Sequence, residues 1–469
     1  MQIRNIYTGL SGLVLAVILS SCLATKNYNR SEIEIEGLYK NFTATDSTTL
    51  ANIPWQDLFP DEYLNKLIGD VLANNQDIGI AAQRIVAARA YFKQKKLEFL
   101  PSVGVGASVT HQELAENSQF GSFFNGSIDQ YQLAADLSWE ADIWGKIRSN
   151  KRAYYAAYMQ SEAAYRVVQT KLIASVASTY YQLLALDAQL IVAEETVENR
   201  TLSLETMKSL KEAGKQTEVS VKQSEAQLYG AQILETDLKK QIQIVENTLS
   251  LLLGEVPQEI ERGELEEQEL DVDINVGLPA QLMRNRPDII EAEYGLVQAF
   301  ELTNVARTQF YPSLTLSATG GFQSIEFDNW FDTGSLFATI VGGLTQPIFN
   351  QGKIKAQYKI SQAEQEQALL NFRKSVLNAG REVSNAMVTI TAESEKYDLR
   401  LKQRDALSEA VTYSEELLIN GYASYLEVLT AKDNELSAEL NLIDTQYKKL
   451  TAIVDLYQAL GGGWKQVDL

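Results

Sequence analysis

From Leu172 onward, residues at alternating steps of four and three form one stripe: Val176, Thr179, Leu183, Leu186, Leu190, Ala193, Val197, Arg200, Leu204 and Met207. Nine of these eleven, counting Leu172, are apolar. That rhythm is the seam of a coiled coil. It returns near the C-terminus in Leu426, Leu429, Asp433, Leu436, Leu440, Ile443, Tyr447, Leu450, Val454 and Tyr457. A continuous helix from Lys146 to Ala213 would run roughly 100 Å at 1.5 Å per residue. No compact core is that long. Such a helix must lie along something elongated, beside its own return helix and neighbouring copies.

Short stretches of a different period interrupt the helices. In Tyr131-Gln132-Leu133-Ala134-Ala135-Asp136-Leu137-Ser138-Trp139 the odd positions are apolar, and in Ser313-Leu314-Thr315-Leu316-Ser317-Ala318 the even ones are. Alternation over about 10 residues fits a tilted barrel strand crossing a bilayer, and also a soluble sheet with one wet face. Two hairpins are too few strands to close a barrel. If the strands sit in lipid, several chains must pool them, because open edges are not tolerated there.

The whole plan is written twice. Asn75-Gln76-Asp77-Ile78 is answered by Arg286-Pro287-Asp288-Ile289, and Phe99-Leu100-Pro101-Ser102-Val103 by Phe310-Tyr311-Pro312-Ser313-Leu314. Gly145-Lys146-Ile147 is answered by Gly352-Lys353-Ile354, Gly214 by Gly421, and Leu253-Gly254 by Leu460-Gly461. The offset is 211 residues up to the proline and 207 after it. Each half is far too long for a solenoid repeat. Each reads helix, two strands, very long helix, sharp turn, long helix. Pro101 and Pro312 mark the change from helix to strand, since proline biases its predecessor away from helix.

The N-terminus carries Arg4 and an apolar run from Ile6 to Leu19, too short to span a bilayer but right for a signal-peptide core. The run ends in Leu19-Ser20-Ser21-Cys22, which resembles the bacterial lipobox. Cys22 is the only cysteine of 469 residues and His111 the only histidine, which excludes a disulfide framework and any Cys/His metal cluster. His111 reads most simply as a solvated side chain. A net charge of −20 argues against nucleic acid as a partner. No nucleophile elbow or P-loop is present, so enzyme chemistry has no support.

Together these residues resemble the TolC family of outer-membrane efflux ducts (outer membrane factors), in its lipoprotein, NodT-type branch. The marks are Trp55-x-Asp57 with Leu64, the run from Asn285 to Ile289, Phe310-Tyr311-Pro312-Ser313, Asp142-Ile143-Trp144-Gly145-Lys146, and Gly421, Ser424, Glu427, Val428, Leu429 and Ala431 at the last turn. The resemblance implies a mainly α fold with a transmembrane β-barrel portion and duplicated half-repeats. Three chains would make a 12-stranded β-barrel continuing into a 12-helix periplasmic α-barrel. It implies a homotrimer, a periplasmic adaptor, an inner-membrane RND-type pump and outer-membrane lipid as partners. It implies no cofactor beyond diacylglycerol and palmitoyl chains on Cys22. The divisions expected are a signal peptide over 1–21, a lipidated leader over 22–54 and a first repeat over 55–256, with strands about 102–113 and 128–141. An equatorial linker over 257–278, a second repeat over 279–463, with strands about 313–324 and 335–348, and a tail over 464–469 follow.

The turns at Gly214 and Gly421 then become the periplasmic tips of the duct. Glycine ends a helix in the left-handed conformation at no Cβ cost. Ser424-x-x-Glu427 is a capping box in which each residue serves the other's backbone N–H. Thr217 caps the first tip, where Ser220 replaces the acid. Glu427 has two readings: a cap carboxylate at a helix N-terminus, or, by the resemblance, one member of an anionic ring that gates the pore and favours cations. The family often has a second acid where Thr430 stands, and a basic residue where Ala423 stands. The adaptor is expected at Gly214 to Val219 and Gly421 to Leu426. Trp139 and Trp144 are expected as interfacial belt anchors and Asp142 as a turn residue. Phe120, Phe123, Phe124, Trp330 and Phe331 are expected in outer loops, covering the barrel mouth. The function expected is a passive exit duct for drugs, metals or other small molecules. The alternatives are a duct for type I protein secretion and a structural coiled-coil lipoprotein.

Overall fold

The computed structural model describes residues 24–30, 37–39, 48–115, 117, 118, 121, 127–268, 270 and 276–465. The signal segment, Cys22 and the three outer phenylalanines Phe120, Phe123 and Phe124 lie outside them. The elements are α1 (Trp55–Leu58), α2 (Glu62–Asn74), α3 (Gln76–Leu97), β1 (Ser102–Glu113), β2 (Ser127–Ala141), α4 (Lys146–Glu212) and α5 (Glu218–Leu253). They continue as α6 (Pro279–Asn285), α7 (Pro287–Thr308), β3 (Ser313–Ser324), β4 (Leu336–Thr345), α8 (Lys353–Ile419) and α9 (Tyr425–Ala459). The order α3-β1-β2-α4-α5 recurs as α7-β3-β4-α8-α9. The two longest helices, α4 and α8, each have 67 residues.

The chain divides into two compact units. One, built from Met1–Glu32, Ile85–Ser161 and Ala292–Phe372, holds an antiparallel sheet in the order β1-β2-β3-β4. The register pairs Val103 with Leu137, Leu137 with Ala318, and Ala318 with Ile340. Partners share a face, so the ladder gathers Val103, Val105, Val109, Leu133, Leu137, Trp139, Leu314, Leu316, Phe322, Leu336, Ile340 and Leu344 on one side. The opposite side is mostly polar or small, with Ser102, Gln132, Asp136, Ser138, Thr315, Ser317, Thr319 and Thr339, and it also carries Phe337 and Val341. The apolar side is largely uncovered: Val105 is 74% exposed and Ile340 75%. β4 is shorter than the expected 335–348. Its ladder stops before Pro347, which has no N–H to give it, and a 3-10 turn over Thr333–Ser335 precedes it.

The turn from β2 into α4 is tied down by side chains. Asp142 accepts from the N–H groups of Ile147 (2.8 Å) and Arg148 (3.1 Å), satisfying orphan donors of the helix's first turn. Trp144 stacks on Tyr311 at 4.8 Å and donates to the carbonyl of Pro312, while Trp139 donates to the carbonyl of Phe99. Both indoles are therefore packed, hydrogen-bonded residues at the feet of the strands. Buried Glu301 receives a two-pronged Arg152, at 2.6 and 3.0 Å. The leader lies on α7 in the same unit: Asn304 brackets the backbone of Lys26, Tyr28 meets Phe300 edge-on, and Arg30 pairs with Glu293.

The other unit, Ile33–Arg84, Glu162–Glu291 and Arg373–Leu469, has its own core around Phe59, Tyr180, Tyr181 and Tyr457. Asp61 caps α2 and also accepts from Tyr180 at 2.7 Å and Gln268 at 2.8 Å. The Asn285-Arg286-Pro287-Asp288 run holds the second repeat together. Buried Arg286 pairs with Asp288 and Glu382 and donates to the last turn of α9 at the carbonyl of Ala459. The α4 seam is buried at Leu172, Val176, Leu183, Leu186, Ala193, Leu204 and Met207. In α9 the most buried line is partly another one, Ala438, Thr445 and Ala452. Small side chains let helices approach closely, so Leu436, Leu440 and Ile443 stay half-buried and Leu426 exposed. Among the described residues no helix is long and apolar enough to cross a membrane.

Candidate gate and docking tips

Both tips end their outgoing helix with the same backbone device. Gly214 has φ +69° and Gly421 φ +78°. At the first, Gly214 N–H donates to Lys211 and Lys215 N–H to Leu210; at the second, Gly421 N–H donates to Leu418 and Tyr422 N–H to Leu417. Each pair of bonds is a Schellman motif, which satisfies carbonyls that the helix end would leave orphaned.

The restart of the chain differs. Thr217 caps α5 through a 3.3 Å bond from Ser220 N–H, and Ser220 Oγ turns back to Gln216. An ion pair between Lys211 and Glu218 closes this turn. At the second tip Ser424 and Glu427 stand as a capping box. Its well-formed bond is the carboxylate's: Glu427 Oε2 accepts from Ser424 N–H at 2.9 Å. Glu427 N–H is directed at the carbonyl of Ser424, at 3.1 Å. Thr430 uses its hydroxyl inside the helix, donating to Leu426 at 2.9 Å. Around Gly421 the surface is apolar and open, with Ile419 84%, Tyr422 83% and Leu426 59% exposed.

Behind the turns the two hairpins are joined. Leu204, Met207, Val221 and Leu228 form a buried cluster with Val197, Leu210 and Tyr425 packed against it. The Tyr425 hydroxyl lies 2.6 Å from Ser224 Oγ. Deeper in, buried Arg200 of α4 meets Asp433 of α9 at 2.6 Å, and Gln227 of α5 donates to the same carboxylate at 3.1 Å. Arg200 and Asp433 are the charged members of their two apolar seams. That was the signal in the sequence for this contact, which pattern reading left unpaired. Lys432 pairs with Glu415 across α9 and α8.

The outer end of the sheet differs from expectation. Phe327, Trp330 and Phe331 pack on Tyr131 and Phe322, at centroid distances of 5.4 to 5.7 Å. Tyr131 and Phe322 belong to the apolar side by register. The β3–β4 loop thus leans its rings onto that side, where apolar area can be covered, rather than over a mouth. His111 lies between Asp129 (2.6 Å) and Glu113 (3.3 Å), still 59% exposed. Among the described residues no three metal-ligating side chains converge.

Comparison with known proteins gives the same picture. The model of the family described as outer membrane efflux protein matches residues 67–255 and 278–462. The toluene efflux pump outer membrane protein TtgF of Pseudomonas putida is 30% identical over 470 residues, covering 97% of each chain. The Salmonella typhimurium protein named "Probable outer membrane lipoprotein SilC" is 27% identical, covering 95% of this chain and 97% of its own. The crystal structure of the Campylobacter jejuni CmeC outer membrane channel superposes with a TM-score of 0.84 at 25% identity, covering 94% of this chain and 95% of its own. With the family model matched over both halves and relatives covered almost end to end, the chain belongs to the outer membrane efflux proteins, channel components of the outer membrane and not enzymes.

Proposed function

We propose that the protein is the exit duct of a tripartite efflux pump, conducting small molecules passively from periplasm to exterior. Three copies each contribute four strands to one 12-stranded barrel, and their long helices continue it as a periplasmic tunnel. The observation that carries this reading is the sheet. Its four strands put one apolar face outward, and β1 and β4 are open edges among the described residues. Lipid on that face and strands of further copies on those edges would satisfy both. Lipid on Cys22 would add an anchor, as the name of SilC suggests for that relative. Cargo is of the drug, solvent or metal class; TtgF is named for toluene.

Glu427 serves both as cap and as gate. It is exposed at the tip, and three copies would face one another around the axis. An adaptor's helical hairpin docks on the tips, and an inner-membrane RND-type pump supplies the energy. The test is reconstitution of detergent-extracted protein into planar bilayers. The wild type runs as an integral trimer and conducts, and Glu427→Ala raises conductance or weakens block by divalent cations. A protein released as a soluble monomer once its lipid is removed would overturn the duct. Unchanged Glu427→Ala traces would leave only the cap.

A further inference from the structure

The β3–β4 loop, residues 325–335, is built to hold three rings in one direction. Trp330 N–H donates to Phe327, Asp332 N–H to Asn329, and Ser335 Oγ–H to the Asn329 carbonyl at 2.6 Å. The result is a cluster of five rings. Trp330 stacks on Phe331 at 4.9 Å and meets Phe327 at 6.0 Å, and the three touch Tyr131 and Phe322 of the strands.

The register gives this cluster a level. Tyr131 pairs with Val109, the last apolar row of the β1–β2 ladder; the next row outward is His111 with Asp129, and then Glu113. The rings therefore sit where the apolar band ends and the charged rows begin. The two phenylalanines remain open to whatever surrounds the sheet, Phe327 63% and Phe331 61% exposed, beside Ile325 at 54%. Trp330 is half-buried against them, with its indole N–H covered and without a partner. A loop that only crossed the top of the sheet would have no reason to bend its aromatic residues back to that row. Aromatic rings at the edge of an apolar band favour the boundary between acyl chains and head groups.

We infer that Phe327, Trp330 and Phe331 form a membrane anchor, seated in the outer-leaflet boundary of the bilayer on the lipid side of the strands. The anchor rests on the reading of the sheet as a membrane sheet. It makes the loop a fixed collar that leaves the exit open. The β3–β4 hairpin then resists being pushed outward when the tips are engaged.

The test uses the full chain reconstituted into phosphatidylcholine vesicles whose acyl chains carry bromine near the head group or near the tail. The fluorescence of Trp330 is the difference between the wild type and Trp330→Phe. Head-proximal bromine is expected to quench most of that difference signal, and tail-proximal bromine much less of it. In bilayers, Phe327→Ser/Trp330→Ser/Phe331→Ser is expected to leave single-channel conductance unchanged. A Trp330 signal untouched by either lipid overturns the anchor, whether the rings cover the mouth or pack on a neighbouring copy. A rise in conductance of the triple variant overturns it as well. Wild-type protein that is quenched but carries no current refutes the duct and leaves the anchor standing.

Discussion

The two tips use one backbone solution and two chemistries. At residues 210–220 the turn is closed by charge: Lys211 with Glu218, and a hydroxyl cap from Thr217. At residues 417–427 it is closed by a carboxylate reaching back to its own N-cap, while Ile419, Tyr422 and Leu426 stand open to solvent. Duplication preserved what the backbone requires and released what the side chains do. The first tip satisfies itself. The second uses its only acid to cap its own helix and leaves Ile419, Tyr422 and Leu426 exposed.

The contact that binds the two hairpins is the place to break that comparison. Arg200→Ala leaves Asp433 with only Gln227 and removes a charged bond from a buried seam. The expected cost is about 1–3 kcal/mol, reduced from a fully buried pair because Asp433 is half exposed. Hydrogen exchange should quicken together over 197–210 and 429–440. Loss of protection in one hairpin alone would mean that the tips are independent.

The glycines sharpen the shared half of the comparison. A Cβ at Gly214 or Gly421 would meet no atom within 4 Å. Substitution to alanine therefore costs only the left-handed backbone, about 1–2 kcal/mol at either site. Equal local destabilisation of the two tips in hydrogen exchange is the expected result. A clear inequality would show that the side chains, not the backbone, dominate the turns.

The smallest effect concerns charge at the first tip alone. The Lys211 ammonium holds the Glu218 carboxyl below the usual carboxylate range. A depressed carboxyl contributes its stability above its unfolded range and loses it as pH falls through the folded value. A spin label at Gln216→Cys should thus gain mobility on acidification, and also in high salt, which screens exposed pairs. Equal immobility at neutral and acid pH would remove the ion pair from the account of this turn.

Much of this was legible in the sequence because it is periodic or local. Seven-residue seams gave α4 its buried line, alternation gave the strand faces, and glycine spacing gave the turns. In α9 the line held at Leu429, Leu450, Val454 and Tyr457 but not between them, where Ala438 and Thr445 are buried and Leu436, Leu440 and Ile443 only half-buried. Side-chain size competes there with hydropathy, and a pattern of apolar letters does not rank alanine against leucine. Trp330 and Phe331 were visible as outer-loop aromatics, but the direction they lean depends on how the loop hydrogen-bonds to itself. Trp139 and Trp144 read as belt anchors along the chain, and only the fold shows that their indole N–H groups also bond backbone carbonyls at the helix–strand junctions.

By itself the sequence determined what repeats: two halves, four amphipathic strands, two very long helices and the positions where each must turn. Those follow from neighbours along the chain, through period, proline and glycine. Only the tertiary structure decided which side chains meet across separate elements. Arg200 found Asp433, Arg286 reached Glu382 and Ala459, and three loop rings settled on Tyr131 and Phe322. Each of these depends on which faces the packed helices and paired strands present to one another, and the spacing of residues along a chain does not carry that information.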